Sequence, residues 1–86
     1  PGRGDVPKLL IIDDEPNVLY SLEAGLEGGD WRVATAPSAR RGVSAVAAER
    51  ADVVLLDIRL PDLGGLEAFD LIRAADPRLP VVFMTA

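Results

Sequence analysis

The chain has 86 residues, of which 49% are hydrophobic, and a net charge of −5 without any histidine or cysteine. This length allows one small domain with a single core, and the hydrophobic content excludes a disordered chain. The negative charge argues against direct nucleic-acid contact, the apolar runs are too short to span a membrane, and the missing cysteines fit a reducing cytoplasm, where we expect the chain to reside.

The first half of the chain alternates between apolar runs and an amphipathic segment. Residues 1–7 are rich in Gly and Pro, and we expect a flexible N-terminal arm there. Leu9–Ile12 is an unbroken aliphatic run and predicts a buried strand. Apolar residues at helical spacing from Pro16 to Leu26 predict a helix, with Asp14 or Glu15 as its cap. Trp31–Ala34 predicts a short strand at a sheet edge.

The second half repeats this alternation. Ser38 suits the N-cap of a second helix, and a third helix ends before Pro77. In the second helix the residues predicted to face inward are Ala39, Val43, Val46 and Ala47. The apolar residues that mark the third helix are Leu66, Ala68, Phe69, Leu71, Ile72 and Ala75. Val53–Leu56 and Val81–Met84 are apolar runs that predict two further buried strands. Strands and helices in strict alternation with short connections predict a parallel α/β sheet.

Polar residues follow three of the predicted strands directly. Asp13 and Asp14 end the first strand, Asp57 the third and Thr85 the fourth, so they meet at one sheet edge if these strands are neighbours. Carboxylates without Cys or His ligands favour Mg²⁺ over zinc. A divalent cation beside a strand-end aspartate is typical of phosphoryl transfer.

These residues resemble the receiver domain of bacterial two-component response regulators. The resemblance covers the chain from Lys8 onward, and the stretch from Asp57 to Gly65 is most similar to receivers of NtrC-like transcriptional regulators. It implies a flavodoxin-like (CheY-like) three-layer sandwich with a parallel sheet. The matching motifs are Asp13-Asp14-Glu15, Asp57-Ile58-Arg59-Leu60-Pro61 with Gly65, and Met84-Thr85-Ala86.

The resemblance also implies a role for each site residue. Asp57 would accept a phosphoryl group from the phosphohistidine of a sensor histidine kinase. Asp14, Asp57 and the backbone carbonyl of Arg59 would hold Mg²⁺, and Asp13 would act through a metal-bound water. The hydroxyl of Thr85 would turn onto the phosphoryl oxygens as the switch. The chain would then be a regulatory phosphoacceptor and not an enzyme, and it would signal to its own output domain, a transcriptional one that makes the DNA contacts.

The sequence departs from the family at its end. A receiver has five strands and five helices, so residues 8–86 form a partial receiver whose C-terminal third, including the lysine at the fifth strand's tip, is absent. Either this sequence is part of a longer chain, or the fragment folds as a swapped or edge-paired homodimer.

Two other functions stay open. The first is a Mg²⁺-dependent phosphohydrolase resembling the haloacid-dehalogenase group, which has a second acid two residues after a first-strand nucleophile. In this sequence Glu15 has that position relative to Asp13, and Pro16 follows it, so the fit is poor. The second is an interaction module that keeps the receiver fold but works without phosphorylation.

Overall fold

The computed structural model describes residues 6–84, and its helices and strands lie within that range. Four parallel strands form one sheet, and three helices connect them, which confirms the predicted alternation. Residues 1–5 of the expected arm, and Thr85, lie outside the described residues. The elements are β1 (Lys8–Ile12), α1 (Pro16–Leu26), β2 (Arg32–Ala36), α2 (Ala39–Ala48), β3 (Val53–Asp57), α3 (Gly65–Ala75) and β4 (Val81–Met84).

The strands lie in the order β2-β1-β3-β4, so the three strands with polar ends are neighbours. The chain moves in one direction from β1 to β2 and in the other direction from β2 to β3 and β4. Right-handed crossovers therefore put α1 on one face of the sheet and α2 and α3 on the other. This is the flavodoxin-like order, in which ligands bind where the direction reverses, between β1 and β3. The predicted fold is confirmed.

The main core lies between the sheet and the pair α2 and α3. Its fully buried strand and helix residues include Leu10, Ile12, Val54, Leu56, Ala39, Ala68 and Ile72. Helix α2 approaches the sheet closely at Gly42, where an added Cβ would lie 2.7 Å from Cγ1 of Ile12. Glycine at this position therefore sets how tightly α2 packs.

The opposite face of the sheet is only half covered. Leu9 and Ile11 of β1 are buried there, whereas Val82 of β4 is 51% exposed. Helix α1 contributes no buried residue. The apolar positions that predicted its inward face are half-buried: Val18, Leu19, Leu22 and Leu26. Their burial is partial because, within residues 6–84, α1 packs toward β2 and leaves β3 and β4 uncovered on this face.

Several local predictions differ from the structure. Strand β2 covers Arg32–Ala36 and not Trp31–Ala34, because its pairing with β1 continues to Ile12 and Ala36, although its place at the sheet edge is confirmed. The apolar residues that marked α3 are not all buried, because the buried stripe of this helix is Gly65, Ala68 and Ile72. Leu66 and Leu71 are 63% and 45% exposed. Ala47 of α2, which was predicted to face inward, is exposed, because the buried residues of that helix are Ala39, Gly42 and Val46.

The starts of the first two helices follow different rules. Glu15 is the N-cap residue of α1, but its side chain makes no capping hydrogen bond, so the predicted carboxylate cap is wrong. The Ser38 hydroxyl accepts from the N–H of Arg41 at 3.2 Å, which confirms the predicted cap of α2. None of the helices within residues 6–84 has the length and apolar character that crossing a membrane requires.

Candidate metal centre

Two adjacent strands carry the acidic residues to one edge of the sheet. Strands β1 and β3 pair in parallel with Ile12 opposite Leu56, so the residues that follow, Asp13 and Asp57, are neighbours. The N–H of Asp13 donates to the carbonyl of Ala36 at 3.1 Å, which continues the pairing with β2 past the end of β1. Both acids therefore start from backbone that the sheet holds in register.

The carboxylates of Asp13, Asp14 and Asp57 form one cluster. One oxygen from each lies within 4.8 Å of the others. Asp13 is buried with 6% exposure, Asp57 is half-buried and Asp14 is exposed. The cluster is thus closed toward the core at Asp13 and open to solvent at Asp14.

The electrostatics of the cluster are unfavourable without a cation. Burial raises the pKa of Asp13 above its ordinary value of 3.8, and the charges of Asp57 and Asp14 raise it further, whereas the N–H of Glu15 opposes the shift. Lys8 pairs with Glu49 at 3.1 Å, at the other end of β1. The negative charge of the site is therefore not offset by that lysine.

Tight turns orient two of the three acids. The N–H of Glu15 donates to Oδ1 of Asp13, and the N–H of Arg59 donates to Oδ1 of Asp57, each at 2.9 Å. An ionised carboxylate has about four acceptor sites on its two oxygens, so one accepted hydrogen bond leaves each acid able to bind a ligand. Side chains that are fixed in this way need little reordering when a cation binds.

The donor set fits a small, hard cation. The three clustered ligands are carboxylate oxygens, and the sequence has no histidine or cysteine to complete a zinc site. Mg²⁺ is usually held by one or two carboxylates, water and substrate phosphate, for which the open side at Asp14 leaves room. The structure thus brings Asp13, Asp14 and Asp57 together as the sequence predicted. The Arg59 carbonyl as a ligand stays a prediction, and the switch residue Thr85 lies outside the described residues.

Two residues beside the site had no role assigned to them from the sequence, although Gly65 belongs to the matching motif. Gly65 begins α3 directly against β3, where an added Cβ would lie 2.6 Å from the carbonyl oxygen of Asp57. Asp62 in the loop before α3 accepts hydrogen bonds from the start of α2. Gly64 has φ of +83°, which explains the glycine pair at this point of the sequence. No local pattern reveals the contact of Asp62, because its partners are more than twenty residues away.

The fold and the acidic cluster define a flavodoxin-like domain with three carboxylates, which could hold a cation, at its β1/β3 switch point. The sequence profile of the response regulator receiver domain matches residues 9–86, and the chain belongs to this family. The family resemblance read from the motifs is therefore confirmed.

Its curated relatives are transcriptional regulatory proteins. TcrX of Mycobacterium tuberculosis, named as a probable transcriptional regulatory protein, is 35% identical over 83 residues, which are 96% of this chain and 36% of TcrX. The transcriptional regulatory protein GlrR of Escherichia coli is 33% identical over 78 residues, 91% of this chain and 18% of GlrR. The chain spans about a third of the length of TcrX and less of GlrR.

Solved receiver structures superpose closely on this chain. The response regulator protein TrrA of Thermotoga maritima, solved in complex with Mg²⁺ and beryllofluoride, is 29% identical and matches with a TM-score of 0.87. The match covers 93% of this chain and 70% of that one. The shared fold therefore extends over nearly all the described residues.

Proposed function

We propose that the chain is the phosphoacceptor receiver of a two-component response regulator, and that Asp57 accepts a phosphoryl group from a sensor histidine kinase. The observation that supports this is the cluster of Asp13, Asp14 and Asp57, within 4.8 Å at the carboxyl ends of β1 and β3. A strand-end aspartate with further carboxylates for a cation is what acyl phosphate formation requires.

The transfer to Asp57 forms one bond and breaks another. The N–H of Arg59 donates to Oδ1 of Asp57 and fixes the orientation of the carboxylate, so that one oxygen can attack phosphorus while the other contacts the cation. A bond forms between the attacking oxygen and phosphorus, the bond between phosphorus and the kinase's histidine nitrogen breaks, and its electron pair returns to the imidazole. The product is an acyl phosphate on Asp57 and a free histidine.

The acidic cluster would hold Mg²⁺. Asp14, Asp57 and the Arg59 carbonyl would be its ligands, with Asp13 acting through water. The bound cation neutralises charge that otherwise repels an anionic phosphoryl group from a carboxylate. Thr85 would report the modification through its hydroxyl. The chain would thus have a regulatory role and would not turn over a substrate of its own.

The partners follow from the relatives. Both named relatives are longer transcriptional regulatory proteins, of which the match covers 36% and 18%, and this supports a transcriptional output domain and a cytoplasmic location. With a net charge of −5, this domain would leave the DNA contacts to that output domain. A swapped or edge-paired homodimer stays a prediction. Within residues 6–84 the edge strands are β2 and β4, and sedimentation at two concentrations would detect such a dimer.

The test uses the full-length protein that contains this chain. With Mg²⁺ and either acetyl phosphate or a kinase, we expect intact mass spectrometry to find one added phosphoryl group, which Asp57→Asn abolishes. Asp70→Asn, at an exposed position of α3, is the matched control and should be modified normally. Beryllofluoride should bind only with Mg²⁺ and Asp57 present. Steady phosphate release from small phosphoesters would instead support the hydrolase, and neither binding nor labelling would support the phosphorylation-independent module.

A further inference from the structure

The loop that leads from Asp57 to α3 is held at both of its ends. At the start, the N–H of Arg59 donates to Asp57 at 2.9 Å. At the end, the N–H of Gly65 donates to the carbonyl of Ile58 at 3.1 Å. Leu60 in between is 5% exposed and packs in the main core. This loop carries the Arg59 carbonyl assigned to the cation in the proposed function.

The middle of the loop is held by Asp62. Its Oδ1 accepts from the N–H of Ala39 and its Oδ2 from the N–H of Arg40, both at 3.0 Å. These are the first two residues of α2, and their N–H groups have no partner within the helix. The two N–H donors, that of Arg40 first, hold the pKa of Asp62 below its ordinary range. A charged carboxylate thus joins the loop to the positive end of α2, an arrangement we call the Asp62–α2 bridge.

We infer that Asp62 is a positioning residue for the cation site, because the Asp62–α2 bridge fixes where the Arg59 carbonyl points. This inference rests on the proposed function. Only Leu60 and Pro61 separate Arg59 from Asp62. Leu60 is buried in the core and Pro61 has a fixed φ. The backbone between Asp62 and the Arg59 carbonyl therefore has little conformational freedom.

A purely structural role for Asp62 as a helix cap would give a different pattern. The Ser38 hydroxyl accepts from the N–H of Arg41 at the same helix end, but Ser38 precedes α2 and does not belong to the loop. Removing Ser38 therefore weakens the start of α2 without releasing the loop. Ser38→Ala is the matched control for Asp62→Ala.

The experiment measures Mg²⁺ affinity by calorimetry and the Arg59 amide shift by NMR in the full chain. Residues that support a metal ligand typically change affinity by 10- to 100-fold, so we expect Asp62→Ala to weaken Mg²⁺ binding about tenfold. Asp62→Asn keeps an acceptor oxygen and should fall between Asp62→Ala and the wild type. Ser38→Ala should leave both the affinity and the Arg59 amide shift of the metal-free protein unchanged.

Three results would overturn the inference. The first is a wild-type Mg²⁺ affinity together with an unmoved Arg59 amide shift in Asp62→Ala. If Asp14→Asn loses Mg²⁺ binding in the same experiment, the proposed function still stands. Absence of Mg²⁺ binding in the wild type would remove the proposed function as well. If Asp62→Ala does not fold, Asp62→Asn is compared with Ser38→Ala, since each weakens one kind of contact at the same helix end. Equal Mg²⁺ affinities in that pair would also contradict the inference.

Discussion

Asp13 and Asp57 stand side by side because Ile12 and Leu56, which precede them, are paired across two adjacent parallel strands. The register of the sheet thus sets two carboxylates next to each other, and Asp14 adds a third within 4.8 Å. Like charges at this separation oppose folding, and the same charges could hold a cation. The unfolding free energy of the metal-free domain should therefore show the repulsion among these carboxylates.

Asp13→Asn should stabilise the metal-free protein at neutral pH. The pKa of Asp13 is raised by burial and by its acidic neighbours, so the folded state holds this proton more tightly than the unfolded chain. The wild type therefore loses stability as pH rises from 3.8 through the folded-state pKa, and an asparagine loses none there. We expect a gain of roughly 1 kcal/mol at pH 7, the interaction of two unit charges about 4 Å apart in water.

Urea unfolding at several pH values, with chelator present, measures this difference. The difference in unfolding free energy between Asp13→Asn and the wild type should grow between pH 3.8 and neutrality and vanish below that range. Asp70→Asn, which removes an exposed charge on α3, is the control and should show no such trend. A constant difference between Asp13→Asn and the wild type at all pH values would contradict the assigned cause.

Mg²⁺ should stabilise the wild type through the same cluster. A ligand at a hundred times its dissociation constant adds about 2.7 kcal/mol when it binds only the folded state. We expect Mg²⁺ to raise the melting temperature of the wild type and of Asp70→Asn, and to leave that of Asp14→Asn unchanged. Differential scanning calorimetry measures this, and an equal rise in all three proteins would locate the cation elsewhere.

The sequence predicted the fold and the acidic cluster because both depend on local patterns. Apolar runs that end in acids, such as the one before Asp57, identify buried parallel strands and their functional ends at once. Short connections and right-handed crossovers predicted a parallel sheet, whereas the neighbouring positions of β1, β3 and β4 were only a condition, which the observed strand order meets.

Contacts between distant segments could not be predicted in this way. The apolar spacing of α1 indicates a buried face, yet how deeply it is buried depends on what else covers the sheet, and Leu22 remains half-buried. The bridge from Asp62 to the N–H of Ala39 joins segments twenty-three residues apart. Neither segment has a pattern that specifies the other.

Arg73→Met should destabilise the connection between α3 and β4. Nη1 of Arg73 donates to the carbonyls of Pro77 and Leu79, each at 2.8 Å, and the guanidinium lies 5.0 Å from the centre of the Phe69 ring. Methionine keeps the apolar stem but leaves both carbonyls without this donor, so we expect a loss of about 1–3 kcal/mol in unfolding free energy. Arg78→Met, at an exposed position of the same loop, is the control and should stay near the wild type in urea unfolding.

Gly65→Ala should destabilise the protein, because the new methyl group meets backbone. The Cβ would lie 2.6 Å from the carbonyl oxygen of Asp57, and backbone next to the site cannot move aside as a flexible side chain can. Overpacking of this kind costs about 1–3 kcal/mol. Gly25→Ala is the matched control, since a Cβ in that position of α1 has nothing within 4 Å and should stabilise the helix by up to about 1 kcal/mol. Urea unfolding should thus give opposite signs for the two glycines. Because the strain in Gly65→Ala falls on Asp57, calorimetry should also show weaker Mg²⁺ binding in Gly65→Ala and unchanged binding in Gly25→Ala. If Gly65→Ala is as stable as the wild type, α3 can shift away from β3 and the expected strain is absent.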